Sequence, residues 1–383
     1  MRILTPESAA LLADKVYDVQ TELLLQLFLR SPEFSVNPDQ KKHLKAEVGS
    51  RIISALDGFG VCAVGGKDYE NDIFIVFRGT SKANSTNDWL SNARIGVEPS
   101  RTGLPVHIGF NQIFKSMLPG IKYFLAENTD RNGTIHCIGH SLGGAVATVT
   151  ADWVKSNTAN HVALYTFGAP RVGLSFFAYR VTGKLGKENI FRTFHATDPV
   201  PMIPIFPFMH TPLPGYGHYI PSSENILSAD AHDIKKYILS VKDKSWKNLQ
   251  MRAPLYGVES AVEEWLKSKI PVNPASPVIW HWLNAALIYV LKKVAGPTIG
   301  VLHGGFLVLD SFADKIAWLL IKGKDLLISG SNLVFQLVYK ILQALGMAVN
   351  VAENLTQVLL KDILLKLMER INQEARRALR KIS

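Results

Sequence analysis

The chain has 383 residues, with 42 Lys and Arg against 32 Asp and Glu, and a formal net charge of +10. Charged residues are 19 % and hydrophobic ones 47 %, a balance that excludes intrinsic disorder and collagen-like or repeat compositions. The length suits one large domain with an addition, or two domains. No dense Lys/Arg stripe is interleaved with aromatics, so no nucleic-acid partner is indicated. A negatively charged membrane surface fits the positive balance better.

In chain order, the first twenty residues carry Glu7, Asp14 and Asp18 and read as an amphipathic helix. They lack the basic, apolar and cleavage regions of a signal peptide. The expectation is a cytoplasmic protein, or one exported by a route that needs no cleaved signal, and associated with a membrane where it acts. From about residue 60 to 240, β-branched runs (VCAVGG, DIFIVFRGT, TIHCIGH, ALYTFGAP, NIFRTFHAT) alternate with helical or loop stretches. That alternation predicts a mostly parallel sheet covered on both faces. Cys62 and Cys137 sit in two of these runs and read as buried free thiols. Phe194 to Tyr219, rich in proline, aromatics and histidine, reads as irregular loop.

After about residue 255 the strand signals stop. Apolar stretches follow at Val278–Leu291, Val294–Leu309, Ile316–Ile321, Leu326–Tyr339 and Ile341–Ala352, punctuated by charges that include Lys340. Glu353–Ile382 reads as one amphipathic helix, with Leu364, Met368, Ile371, Ala375 and Leu379 on its apolar face. Its polar face carries Lys366, Arg370, Arg376, Arg377, Arg380 and Lys381. The predicted division is residues 1–255 and residues 256–383.

The most informative segment is Gly139-His140-Ser141-Leu142-Gly143-Gly144-Ala145. It satisfies G-x-S-x-G, follows the strand-like TIHCI and precedes a helix-like run. In that context a serine stands on a tight strand-to-helix turn with its hydroxyl exposed at the end of the sheet. The fold this predicts is an α/β-hydrolase, a mostly parallel sheet flanked by helices, with an additional C-terminal all-helical apolar region. A serine needs a histidine to take its proton and a carboxylate to orient that histidine. In elbow enzymes the chain order is Ser, acid, His. Among Asp152, Glu188, Asp198, Glu224, Asp230 and Asp233, the choice is Asp198, because it directly follows a strand. For the base, spacing leaves His218 and His232 open.

These residues resemble the class 3 lipases, the fungal-type triacylglycerol lipases and their phospholipase A1 relatives. The likeness rests on the elbow and on Ile75-Val76-Phe77-Arg78-Gly79-Thr80, Val106-His107-Ile108-Gly109-Phe110, Thr166-Phe167-Gly168-Ala169-Pro170-Arg171-Val172-Gly173 and Asp198-Pro199-Val200-Pro201, in the family's order. It implies that His232, before a helix with Tyr237, is the base, and that His218 in Gly215-Tyr216-Gly217-His218 is structural. It implies oxyanion donors at Thr80 and at the backbone N–H of Leu142, and a lid containing Trp89 and Leu90. Leu174 stands where the family commonly has asparagine, and the acidic–aromatic sequence after His218 is missing.

The expected activity is a phospholipase A1-type serine ester hydrolase working through an acyl-enzyme, with no metal or organic cofactor. The alternatives are a neutral glyceride lipase and a membrane-active toxin working through its C-terminal helices. Those helices form a cap or lie on a lipid surface, dock a chaperone, inhibitor or immunity protein, or span a membrane. A spanning helix needs about 20 apolar residues, and no run here reaches that length cleanly. By family habit, a bacterial lipase effector would fit a lipid-degrading chain without a signal.

Overall fold

The computed structural model describes residues 2–19, 22–34, 41–45, 58–79, 96–222, 226–252, 258–295, 312–326, 328–347 and 355–382. Among the described residues, the main sheet has eight strands. They are β1 (Lys41–Lys45), β2 (Gly58–Val64), β3 (Ile73–Phe77), β6 (Thr134–His140), β7 (His161–Phe167), β9 (Ile190–His195), β11 (Gly217–Ile220) and β12 (Met251–Arg252), in that spatial order. The five from β3 to β11 run parallel. β1 and β2 at one edge and β12 at the other are antiparallel. A smaller antiparallel sheet joins β4 (Val97–Pro99), β5 (Pro105–His107), β8 (Gly173–Leu174) and β10 (Phe208–Met209).

The central strands β3, β6 and β9 are buried along their whole length because both faces are covered. Along β3, Ile73, Ile75 and Phe77 enter one hydrophobic cluster, while Phe74 and Val76 enter another. This is the two-residue alternation of a strand sending side chains to opposite faces. The first face packs on α3 (Ile108–Glu127), α4 (Leu142–Asn157) and α5 (Ser175–Leu185); the second packs on α1 (Pro6–Lys15), α2 (Glu22–Leu29) and α6 (Ile234–Val241). Cys62 and Cys137 are both buried, and no disulfide joins them.

The C-terminal region contributes α7 (Glu259–Lys267), α8 (Pro277–Ala295), α9 (Phe312–Leu326), α10 (Ile328–Leu345) and α11 (Gln357–Ile382). Their apolar faces join the same cluster as α3, α4 and α5. Leu360, Ile363, Leu364, Leu367, Ile371, Ala375 and Ala378 of α11 are all buried there. No described helix is long and apolar enough to cross a membrane.

One reading changes at Lys340. The sequence reads it as a break between two apolar stretches, yet α10 runs straight through it. Lys340 is fully buried. Its Nζ donates to the Ser268 carbonyl (2.8 Å), the Ile270 carbonyl (3.0 Å) and Ser268 Oγ (3.2 Å). It thus ties α10 to carbonyls at the end of α7, which have no partner within their own helix. Burial lowers its ammonium below the usual lysine value.

The cationic face of α11 is also more occupied than its sequence suggests. Lys361 pairs with Asp314 of α9 at 2.8 Å, Lys366 with Asp362 at 2.7 Å, Arg370 with Glu374 at 3.4 Å, and Arg376 with Glu369 at 2.8 Å. Surface pairs of this kind add little stability each.

Candidate active site

Ser141 stands between the end of β6 and the start of α4, with φ at +57°. Its N–H donates to the Phe167 carbonyl at 2.9 Å, which anchors the elbow to β7. The turn closes only because its neighbours have no side chain. A Cβ on Gly143 would strike the carbonyl oxygens of Phe77 and Arg78, and one on Gly139 would strike the backbone of Gly143. Leu142 is the first residue of α4. Its N–H therefore has no carbonyl partner within the helix, and the helix dipole favours negative charge there.

The structure brings Ser141, His232 and Asp198 together in one hydrogen-bonded line. His232 Nε2 lies 2.8 Å from Ser141 Oγ, and His232 Nδ1 lies 2.8 Å from Asp198 Oδ2. Asp198 follows β9, and His232 ends a short 3-10 turn, Ala229–His232, ahead of α6. Asp198 Oδ1 accepts the Val200 N–H at 2.9 Å, and Oδ2 accepts the Tyr237 hydroxyl at 2.7 Å. Three donors hold the carboxylate and fix its orientation. Burial, and then the neighbouring carboxylate, push the Tyr237 hydroxyl well above its usual value, so it stays protonated and donates. All three residues are closed to solvent, with Ser141 at 2 % exposure and His232 at 0 %.

A second line of hydrogen bonds supports the first. His140 Nε2 donates to the carbonyl of His232 at 2.8 Å. Burial, and then His232, hold His140 well below the usual imidazole value, so it is neutral. Its Nδ1 therefore accepts from the Tyr17 hydroxyl at 2.8 Å. The Tyr17 oxygen takes a hydrogen bond from the Gly79 backbone. The N-terminal segment, the residues just after β3, the elbow and His232 are thus one connected unit.

The remaining candidates have other places. His218 lies on β11, with its ring 4.9 Å from Trp246 and stacked on Phe191, away from Ser141. His210 Nε2 donates to the Pro201 carbonyl at 2.8 Å. His107 caps α3, its Nδ1 accepting the Gly109 N–H. Asp152 is buried in α4 and pairs with Lys184 at 2.6 Å. Asp233 caps α6, accepting from the Lys235 N–H. Thr80, Trp89, Leu90 and Glu224 lie outside the described residues. Among the described residues, no group of three or more His, Cys, Asp or Glu side chains has the arrangement to hold a metal ion.

Sequence reasoning missed Tyr17, His195 and the contact role of Gly168. Tyr17 carries no local signal, since its partner is 123 residues away. Gly168 does stand in a quoted motif, and the structure explains it: φ is +57°, and a Cβ there would lie 2.8 Å from Asp198 Oδ2.

A mostly parallel sheet with a nucleophile elbow after β6, an acid after β9 and a histidine after β11 defines an α/β-hydrolase with a Ser-Asp-His site. Residues 74–208 match the model of the lipase (class 3) family. Among sequence relatives, a secreted mono- and diacylglycerol lipase 1 of Fusarium solani is 34 % identical over 180 residues, covering 45 % of this chain and 52 % of the relative. Phospholipase A1-II 4 of Oryza sativa subsp. japonica is 29 % identical over 174 residues, covering 38 % and 42 %. The chain thus spans about half the length of the curated relatives it matches. Among solved structures, lipase II from Rhizopus niveus aligns with a TM-score of 0.39 and 22 % identity, over 59 % of this chain and 86 % of that one.

Proposed function

We propose that the chain is a serine carboxylester hydrolase that releases fatty acids from lipid esters. The observation that carries this reading is the line from Ser141 Oγ through His232 to Asp198, closed at 2.8 Å on both sides of the imidazole. Ser141 Oγ attacks the ester carbonyl carbon while His232 Nε2 takes its proton. The carbonyl oxygen becomes an oxyanion facing the Leu142 N–H, where preorganised donors lower the barrier most. The C–O bond to the alcohol breaks, and the alcohol leaves with the proton from His232. Water, deprotonated by the same nitrogen, then attacks the acyl-enzyme and frees the fatty acid. Asp198 holds the Nδ1–H tautomer throughout and stabilises the imidazolium.

The substrate proposed first is a membrane phospholipid, cleaved as by a phospholipase A1. The net charge of +10 and the resemblance to a plant phospholipase A1 support that choice. A neutral glyceride is the second reading, favoured by the higher identity to a mono- and diacylglycerol lipase. Product analysis on defined phospholipids and on mono-, di- and triglycerides, with wild type and Ser141→Ala, tests both. Fatty acid release from phospholipid that vanishes in Ser141→Ala is expected. Release from glycerides alone would select the second reading. Full esterase activity in Ser141→Ala would overturn the assignment of the nucleophile.

A further inference from the structure

His232 stands at the end of a four-residue 3-10 turn, Ala229–His232. Hydrogen bonds inside such turns have poor geometry. Here the Ala231 N–H to the Ser228 carbonyl and the Asp233 N–H to the Asp230 carbonyl both span 3.2 Å. α11 packs on the turn, but contact alone leaves peptide groups free to tilt, whereas a hydrogen bond fixes their direction. The peptide groups on the two sides of the His232 Cα are each held by a buried histidine. His140 Nε2 donates to the carbonyl of His232 itself at 2.8 Å. The carbonyl before it, of Ala231, lies 2.6 Å from His195 Nδ1.

His195 is a rigid reference point for that carbonyl. It is the last residue of β9, buried, and paired with Ile220 of β11 in the main sheet. A carbonyl only accepts, so Nδ1 carries the proton, and Nε2 of the neutral ring accepts from Ser240 Oγ of α6 at 3.0 Å. Burial holds the imidazole below its usual value, which favours the neutral ring this pattern requires. The ring stacks on Tyr237, with centroids 4.0 Å apart and planes 26° from parallel. The Tyr237 oxygen accepts the His195 N–H at 3.1 Å and donates to Asp198 Oδ2 at 2.7 Å. The Asp198 N–H in turn donates to the His195 carbonyl at 3.3 Å. One strand residue thus meets the turn of the base, the tyrosine that orients the acid, and the backbone of the acid.

We propose that His195 is a positioning residue for the base: through the Ala231 carbonyl and Tyr237 it sets where the His232 imidazole stands between Ser141 and Asp198. The inference rests on the reading of these three residues as the ester-cleaving triad. His195 itself moves no proton in the reaction, because both its nitrogens are engaged within the protein. Without the Nδ1 donor, the buried Ala231 carbonyl loses its hold, and a buried carbonyl without a partner shifts to find one. That peptide leads directly into His232. The imidazole is held at 2.8 Å on both sides, and such an arrangement tolerates only about 0.5 Å of displacement.

The test pairs two variants of the full chain. His195→Phe keeps a ring on Tyr237 and removes both nitrogens. His195→Asn keeps an N–H donor near the place of Nδ1 and removes the ring. Hydrolysis of p-nitrophenyl butyrate is measured per folded molecule, with the folded fraction taken from near-ultraviolet circular dichroism. The expected result is a kcat about 30-fold lower in His195→Phe, with KM within about twofold, and a kcat within about fivefold of wild type in His195→Asn. The downfield proton resonance of His232 Nδ1–H, assigned by its loss in His232→Ala, reads the same geometry without substrate. It should shift in His195→Phe and stay near its wild-type place in His195→Asn. A merely structural role would lower the melting temperature of both variants and leave kcat and the resonance unchanged, and that result would overturn the proposal. So would a His195→Asn as impaired as His195→Phe, because the donor would then not be what positions the base. If His195→Phe does not fold, Ser240→Ala takes its place, since it frees Nε2 and lets the ring turn from Ala231. Its kcat should fall about threefold with a shifted resonance, and no change in either would overturn the proposal. A wild type without esterase activity would overturn the ester-cleaving assignment, and the resonance would then decide alone whether His195 places His232.

Discussion

Replacing Gly168 with alanine tests how closely the acid and base are held. At φ +57°, a left-handed backbone costs an L side chain roughly 1–2 kcal/mol. The added methyl would lie 2.8 Å from Asp198 Oδ2, 3.0 Å from His232 Nδ1 and 3.1 Å from His232 Cε1. Unstrained contacts begin near 3.5 Å, so the pair must give by about 0.5 Å. The Asp198–His232 hydrogen bond, at 2.8 Å, cannot keep its length under that displacement, because Val200 and Tyr237 pin the carboxylate from its other sides. Displacing a catalytic group by up to an ångström costs rates on the order of 100-fold. The expected result is a kcat for p-nitrophenyl butyrate reduced about 100-fold, with KM within about twofold. Labelling of Ser141 by a fluorophosphonate should slow in parallel, because it uses the same base. A variant whose kcat stays within about threefold of wild type would refute the reasoning.

Three further outcomes are expected. Tyr237→Phe removes a donor to Asp198 and leaves the His195 N–H, bound at 3.1 Å, without its acceptor; urea unfolding should show a loss of about 2–4 kcal/mol. Lys340→Met strands the Ser268 and Ile270 carbonyls and should cost about 1–3 kcal/mol by the same assay, with little effect on KM. Burial lowers the imidazoles of His107 and His281 to about 3, and that of His218 to about 4. The unfolded chain takes up protons on these residues below about pH 6.5, and the folded one refuses them. The stabilisation is therefore complete above pH 6.5 and is lost as pH falls from there towards 3–4. Thermal melts across that range, with proton uptake on unfolding measured in buffers of different ionisation enthalpy, would check the sign.

Much of the catalytic half was legible because its signals are local. The elbow needs small residues around the serine, since Gly143 abuts the Phe77 and Arg78 carbonyls, and that demand shows directly in the sequence. The buried strands show as continuous apolar runs because helices cover both faces. Asp198 was legible from its place after a strand. The choice between His218 and His232 was not legible from spacing, and family resemblance decided it. In space, β11 turns His218 onto Trp246 and Phe191, while the following turn delivers His232 to Ser141. The small sheet escaped notice because β8 and β10 are two residues each, too short to show a period.

Sequence alone singled out Ser141 and Asp198 as candidates, in the order the elbow requires, and predicted an apolar helical addition. Each of these follows from neighbours in the chain or from a short period along it. Tertiary structure decided what those pieces meet. Tyr17 reaches His140 across 123 residues, and Lys340 caps carbonyls 72 and 70 residues before it. The cations of α11 are largely committed to partners on α11 and α9. Periodicity reports which face of an element is buried, but it holds no information about which distant side chain will satisfy a buried polar group. Only packing of the whole chain supplies that partner.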